Sequence, residues 1–156
     1  MATSSLKRKR GGFEWRIEMP PVPCPRPRFS KWGAYYPPRY QKWRAEFERT
    51  IEAIDLPPCT PSPVEVWIEF VCVRPAKPAN RYPIGDIDNY IKSVLDGTQS
   101  KAFFEDDKQV ESIRATKRFA LKGETPHISV WVGLSNPTSE DVLDQPDTIS
   151  IEELQE

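Results

Sequence analysis

The sequence predicts a small α+β domain in which a mixed β-sheet is covered on one face by two helices. Two observations lead to this prediction: four segments carry the apolar pattern of strands, and two carry apolar residues at helical spacing. Their order along the chain is strand, helix, strand, helix, strand, strand, which favours a sheet with a crossover connection. A chain of 156 residues is long enough for one such domain.

The first half of the chain contains a strand, a proline-rich connection and a helix. Residues 13–19 alternate apolar and charged side chains, as in a half-buried strand. Prolines exclude regular structure from residues 20–38. Pro38 can begin a helix, which Pro57 and Pro58 end. The apolar residues at helical spacing are Tyr40, Trp43, Phe47, Ile51 and Ile54.

The second half contains the central strand and the second helix. Residues 64–73 form a strongly apolar strand, and residues 74–85 form a loop that leads to a helix beginning near Asp86. Residues 109–120 and 127–134 predict two further strands, with a hairpin turn at residues 122–124. The predicted buried stripe of the second helix consists of Ile87, Ile91, Val94 and Leu95.

Both ends of the chain are expected to lie outside the folded domain, which spans residues 13–134. Residues 1–12 contain Lys-Arg-Lys-Arg between small residues and predict a flexible basic arm. Residues 135–156 contain seven acidic residues, no lysine or arginine and few apolar residues, which predicts a disordered acidic tail. The overall net charge of −1 therefore conceals a mildly basic body, which is compatible with binding to nucleic acid.

Composition also predicts the compartment. No apolar run is long enough to span a membrane, and no apolar segment follows the basic N-terminus as it would in a signal peptide. The three cysteines are widely spaced and contain no CxxC pair, which favours reduced thiols over a disulfide framework or a zinc site. We therefore expect a cytoplasmic protein.

The start of the second helix carries acidic residues that are candidates for a metal-binding catalytic site. Taken singly, Asp86 is an N-cap, Asp88 favours the helix dipole, and Asp88 with Lys92 is a surface ion pair. Taken together with Asp107, the two aspartates would repel each other unless a divalent cation lay between them. Oxygen ligands without histidine or cysteine suit Mg²⁺ or Mn²⁺, and Lys92 could stabilise a negative transition state.

Other catalytic arrangements do not fit the spacing. An EF-hand loop starting at Asp86 would need glycine and glutamate where Ile91 and Gly97 stand, and there is no glycine-rich phosphate loop. His127, the one histidine, begins a predicted strand and is interpreted as structural, which argues against a Ser-His-Asp triad.

Two basic segments are candidates for contact with DNA. Residues 26–36 interleave cations with aromatic rings, a combination suited to phosphate contact and base stacking, although a loop packed by its own rings is equally consistent with it. The cations of this segment and of the loop before the second helix are Arg26, Arg28, Lys31, Arg74, Lys77 and Arg81.

At these residues the sequence resembles the RusA family of Holliday junction resolvases, found in bacteria and their phages. The likeness consists of Asp-Ile-Asp-Asn-Tyr-Ile-Lys at 86–92, Leu-Asp at 95–96 and Asp-Asp-Lys-Gln-Val at 106–110, and Arg-Pro-Arg-Phe at 26–29 is also similar to family members. It extends over residues 13–134.

The resemblance implies a homodimeric, Mg²⁺-dependent endonuclease that resolves four-way DNA junctions by paired symmetric cuts in recombination and repair. It implies Asp86, Asp88 and Asp107 as metal ligands and Lys92 as a catalytic residue, with Asp96 and Asp106 in supporting or capping roles. Either residue of the Asp106-Asp107 pair could be the ligand. Two alternatives remain: a metal nuclease for other branched DNA, and a non-catalytic DNA-binding module whose aspartates only cap helices.

Overall fold

The computed structural model describes residues 2–99, 101 and 103–135. The predicted acidic tail lies outside the described residues from position 136 onward. The elements in chain order are β1 (Ser4–Lys9), β2 (Gly12–Ile17), β3 (Arg28–Ser30), β4 (Gly33–Tyr35), α1 (Pro38–Glu52), β5 (Val64–Cys72), α2 (Ile87–Thr98), a 3₁₀ turn (Asp107–Gln109), β6 (Val110–Phe119) and β7 (His127–Leu134). Neither helix is long and apolar enough to cross a membrane.

The main sheet confirms the predicted α+β class. Its five strands lie in the order β1-β2-β7-β5-β6, and all neighbours are antiparallel except β5 and β6. β5 lies between two neighbours, as its apolar sequence predicts. The expected β6–β7 hairpin is wrong, because β5 separates the two strands. The α2 crossover places β6 parallel to β5 on one side, so β7 pairs with the other edge of β5.

The N-terminal segment is a strand and not a flexible arm over residues 4–9. β1 pairs with β2 along its whole length, and the indole Nε1 of Trp131 donates a hydrogen bond to the carbonyl of Lys9 at 2.6 Å. Arg10 and Gly11 both have positive φ, which is the backbone of a two-residue hairpin turn. Without β1, the edge of β2 would expose unpaired backbone groups, so pairing outweighs the low apolar content of the segment.

The core lies between the helices and one face of the sheet. Alternate residues of β5, from Val64 to Phe70, are buried beneath the helices. Trp43 stacks on Phe47 within α1, with ring centroids 5.2 Å apart, and Tyr90 of α2 packs against Phe70 at 5.3 Å. The opposite face of the sheet carries Trp67 and Trp131 among charged side chains.

The buried face of α2 is rotated from the predicted stripe. Tyr90, Val94 and Gly97 are buried, whereas Ile87 is 37% exposed. A Cβ at Gly97 would lie 2.6 Å from the Phe47 ring, so this glycine allows α1 and α2 to approach closely. Ile91 and Leu95 of the predicted stripe are half-buried and still pack against the core.

The segment predicted to lack regular structure contains a short β-hairpin. β3 and β4 form their own two-stranded antiparallel sheet, separate from the main sheet, and all six residues are exposed. The tight turn at Ser30–Gly33 supplies the local hydrogen bonds that make this ribbon possible despite the prolines on both sides.

Candidate active site

Asp86 and Asp88 lie at the exposed start of α2. Asp86 occupies the N-cap position, but its carboxylate makes no capping hydrogen bond. Asp88 accepts a hydrogen bond from the backbone N–H of Asn89 at 3.0 Å. The capping explanation therefore does not account for Asp86, whose carboxylate faces solvent at the same end of the helix as Asp88.

The loop before Asp86 is held by a residue that the sequence analysis did not select. Lys117 of β6 donates hydrogen bonds from Nζ to the carbonyls of Pro83 at 2.9 Å and Gly85 at 2.5 Å. Gly85 has a φ of +108°, and a Cβ there would lie 3.2 Å from both Pro23 and Tyr90. Lys117 thus fixes the backbone that directly precedes Asp86. The sequence signal for it is weak, being only a lysine on the helix-facing side of a strand.

Lys92 pairs with Asp96 and not with Asp88. Its Nζ lies 2.9 Å from Oδ2 of Asp96, one turn further along α2. The hydrogen bond to Asp96 raises the pKa of the Lys92 ammonium above its usual value. Arg44 of α1 donates a hydrogen bond to the Asp96 carbonyl at 3.1 Å, which ties this part of α2 to its neighbour. Lys92 is consequently an exposed cation held in a defined direction.

The two residues of the Asp106-Asp107 pair have different surroundings. Asp106 caps the 3₁₀ turn: its Oδ1 accepts the backbone N–H of Lys108 at 2.9 Å, and the Gln109 side chain accepts the N–H of Asp106 at 2.9 Å. The bond from Lys108 lowers the pKa of the Asp106 carboxyl. The capping bonds thus fall on Asp106, and the exposed Asp107 carboxylate lies beside it.

Asp107 does not lie near Asp86 and Asp88 within one chain. The loop before Asp86 rests on Lys117 near the end of β6, whereas Asp107 immediately precedes the beginning of that strand. Val110 and Lys117 are separated by roughly 23 Å of extended chain. Among the described residues, no three or more His, Cys, Asp or Glu side chains are grouped so that they could hold a metal ion.

The donor set itself suits a hard divalent cation. All three candidate ligands are carboxylates, and in the described part of the chain no lysine or arginine forms an ion pair with them. Carboxylate oxygens are the ligands that Mg²⁺ and Mn²⁺ prefer. The chemistry of the three carboxylates fits such an ion. Within a single chain, however, only Asp86 and Asp88 lie close together.

The candidate DNA-contacting cations are exposed, but they are not equivalent. Arg28 and Lys31 belong to the β3–β4 hairpin and Arg26 directly precedes it. In the loop after β5, Lys77 and Arg81 are exposed. Arg74 instead donates from Nε to the Ala120 carbonyl at 3.0 Å and lies over the Phe119 ring. Arg74 therefore has a structural role in joining the ends of β5 and β6.

Comparison with known families shows the class of this protein. The family model described as Endodeoxyribonuclease RusA matches residues 18–132. The chain belongs to the RusA family. The match includes all of the candidate site residues named above and begins directly after β2. Members of this family are metal-dependent endodeoxyribonucleases that act on Holliday junctions, and the chain is an enzyme of that class. A comparison with curated proteins gives no match.

Proposed function

We propose that this RusA-family protein is an Mg²⁺-dependent homodimer that resolves four-way DNA junctions by paired symmetric hydrolysis, in recombination and repair. The observation that carries the proposal is that Asp86 and Asp88 are both exposed at the start of α2, one turn before Lys92, and that the Asp86 carboxylate makes no capping hydrogen bond. Lys117 holds the loop that leads to this helix start. In a chain of this family, such a constellation supports phosphodiester chemistry.

The position of Asp107 supports the proposal of a homodimer. As a third ligand Asp107 would complete the carboxylate set, yet it lies at the opposite end of β6 from the other two. A second copy of the chain, related by two-fold symmetry, can bring its Asp107 to Asp86 and Asp88 of the first and receive the same in return. Two identical sites then act on two strands of a junction that is itself nearly two-fold symmetric.

The aspartates and Lys92 have different roles in the proposed hydrolysis. Asp86 and Asp88, with Asp107 of the second copy, hold the ion, which when bound lowers the pKa of water and neutralises phosphate charge. Lys92 is protonated at neutral pH, as an ordinary lysine is, so it can donate a hydrogen bond to a non-bridging phosphate oxygen. Asp96 keeps the ammonium oriented while the substrate is absent.

The proposal is tested by cleavage of a mobile four-way junction and of matched linear duplex, with Mg²⁺ or with EDTA. The variants are Asp88→Asn and, as a matched control, Asp55→Asn, which changes an exposed aspartate after α1. We expect paired nicks on the junction for the wild type and the control, and loss of cutting with EDTA and in Asp88→Asn. Equal cutting of linear duplex would contradict junction resolution.

A further inference from the structure

The β3–β4 hairpin exposes aromatic side chains to an unusual degree. Trp32 is 87% exposed and Phe29 is 81% exposed, the two highest values among the large apolar residues that the structure describes. The turn that carries them is ordered by its own contacts, because Ser30 Oγ accepts the N–H of Trp32 at 3.1 Å and Gly33 has a φ of +112°. The rings are thus presented to solvent by a defined ribbon.

The positive charge around these rings favours an anionic partner. Between residues 19 and 45 the sequence contains six basic residues and no acidic residue. Lys31 lies over the Trp32 ring, with Nζ 5.0 Å from the ring centroid. A second copy of this segment would repel it, whereas a polyanion with flat apolar faces would satisfy both the cations and the rings. Nucleic acid bases linked by phosphates have this chemistry.

The hairpin is attached beside the candidate active site. On its N-terminal side, the N–H of Cys24 donates to the Asn89 carbonyl of α2 at 2.9 Å. On its C-terminal side, Tyr36 packs edge-on against Tyr40 of α1 and accepts a hydrogen bond from Gln41 through its carbonyl. A side-chain hydrogen bond with Cys24 is the main cause that raises the pKa of Tyr36, and the charges of Lys92 and Asp96 contribute less. Both ends of the ribbon therefore rest next to Lys92, and the tip extends roughly 15 Å from them.

We propose that Trp32, assisted by Phe29, stacks on DNA bases that a branch point leaves without a stacking neighbour, and that this contact makes the enzyme prefer branched DNA to continuous duplex. This inference rests on the proposed function. In continuous duplex every base already stacks on two others, so an inserted ring must first separate them at a free-energy cost. At a branch point that cost is reduced, and the hairpin gains a stacking contact next to the phosphate to be cut.

The first test measures binding in EDTA, so that no cutting occurs, to a four-way junction and to linear duplex of the same sequence. Removal of one base–aromatic stack corresponds to a loss of roughly 5- to 100-fold in affinity. We expect Trp32→Ala to lose this much for the junction and little for the duplex, and Trp32→Phe to retain most of the preference. Lys31→Ala should weaken binding to both DNAs alike, because phosphate contacts carry no branch selectivity.

The second test uses tryptophan fluorescence in the same mixtures. Stacking on a base quenches the indole, so wild-type emission should fall on adding junction and much less on adding duplex. Trp32→Phe should abolish the difference. The control Trp67→Phe removes a partly exposed tryptophan from the opposite face of the sheet and should leave it unchanged.

Two results would overturn the inference: an unchanged ratio of junction to duplex affinity in Trp32→Ala, or a change in the sedimentation mass of the variant. The last would make the hairpin an interface between copies. A wild type that cuts junctions while Trp32→Ala keeps full selectivity refutes this inference alone. A wild type that shows junction-specific quenching but never cuts refutes the proposed function alone.

Discussion

Asp86 and Asp106 show how far identical sequence patterns can diverge in structure. Both precede a helical segment, and by position preference both are N-caps. In the structure Asp106 makes the capping bonds and Asp86 makes none. Position preference alone could not separate them, because capping depends on the rotamer and on the path of the preceding loop. For Asp86, Lys117 of β6 holds that loop.

Lys117→Met should impair catalysis by releasing the loop before Asp86. The change removes two hydrogen bonds to backbone carbonyls, and displacement of Asp86 by a fraction of an ångström should lower kcat by roughly 10- to 100-fold. Junction binding should change far less, and Lys117→Arg should restore part of the rate. The exposed turn residue Lys122, changed to Met, is the control. An unchanged kcat in Lys117→Met would show that the loop holds its position without the lysine.

Asp96→Asn should lower the pKa of Lys92. The carboxylate favours the protonated amine, so its neutralisation moves the lysine titration to lower pH, towards the ordinary value. NMR titration of the lysine side chains in wild type and variant measures this directly, without DNA. A Lys92 titration that stays in place, or moves to higher pH, would mean that the ion pair with Asp96 does not persist in solution.

At the scale of elements, β1 is the clearest departure from the sequence prediction. Its basic residues and the glycines that follow it are typical of a flexible arm, yet the strand supplies backbone partners to the whole of β2. The family match begins at residue 18 and so includes neither β1 nor β2. The signal in the sequence is the Arg10-Gly11 turn together with Leu6, which packs against the core.

Deletion of residues 1–9 should therefore destabilise the domain as well as remove positive charge. We expect the thermal midpoint to fall by several degrees, on the order of 1 kcal/mol of stability, because the edge of β2 becomes unpaired. The matched variant Lys7→Gln keeps the strand and removes the charge of one exposed residue. Equal midpoints for the deletion and the wild type would restore the interpretation as a flexible arm.

At the scale of the whole molecule, active sites shared between two chains predict that two inactive variants can complement each other. Asp88→Asn and Asp107→Asn should each be inactive as homodimers. A heterodimer of the two contains one intact site, formed by Asp86 and Asp88 of one chain and Asp107 of the other. Mixing and re-equilibrating the two inactive variants should thus restore nicking of one strand without paired cuts.

The control for this experiment is the mixture of Asp86→Asn with Asp88→Asn, whose heterodimers contain no intact site and should remain inactive. If the first mixture also stays inactive while mass measurement shows that heterodimers form, then the three aspartates act within a single chain. The outcome bears on the assembly and not on the family assignment, which rests on the match over residues 18–132.

The sequence by itself determined the fold class, the central position of β5, the extents of both helices within a few residues, and the RusA family. These depend on the periodicity of apolar residues and on a short motif, and both are visible in neighbouring residues of the sequence. The roles of Asp86, Asp88, Lys92 and Asp107 stay predictions from that motif.

Tertiary structure alone decided the strand order, the rotation of α2, the support of Asp86 by Lys117 and the separation of Asp107 from Asp86. Each of these depends on which strand edges pair and how closely two helices approach. Such choices are settled by contacts between residues far apart in the chain, such as Gly97 against Phe47, and these contacts leave no local pattern in the sequence.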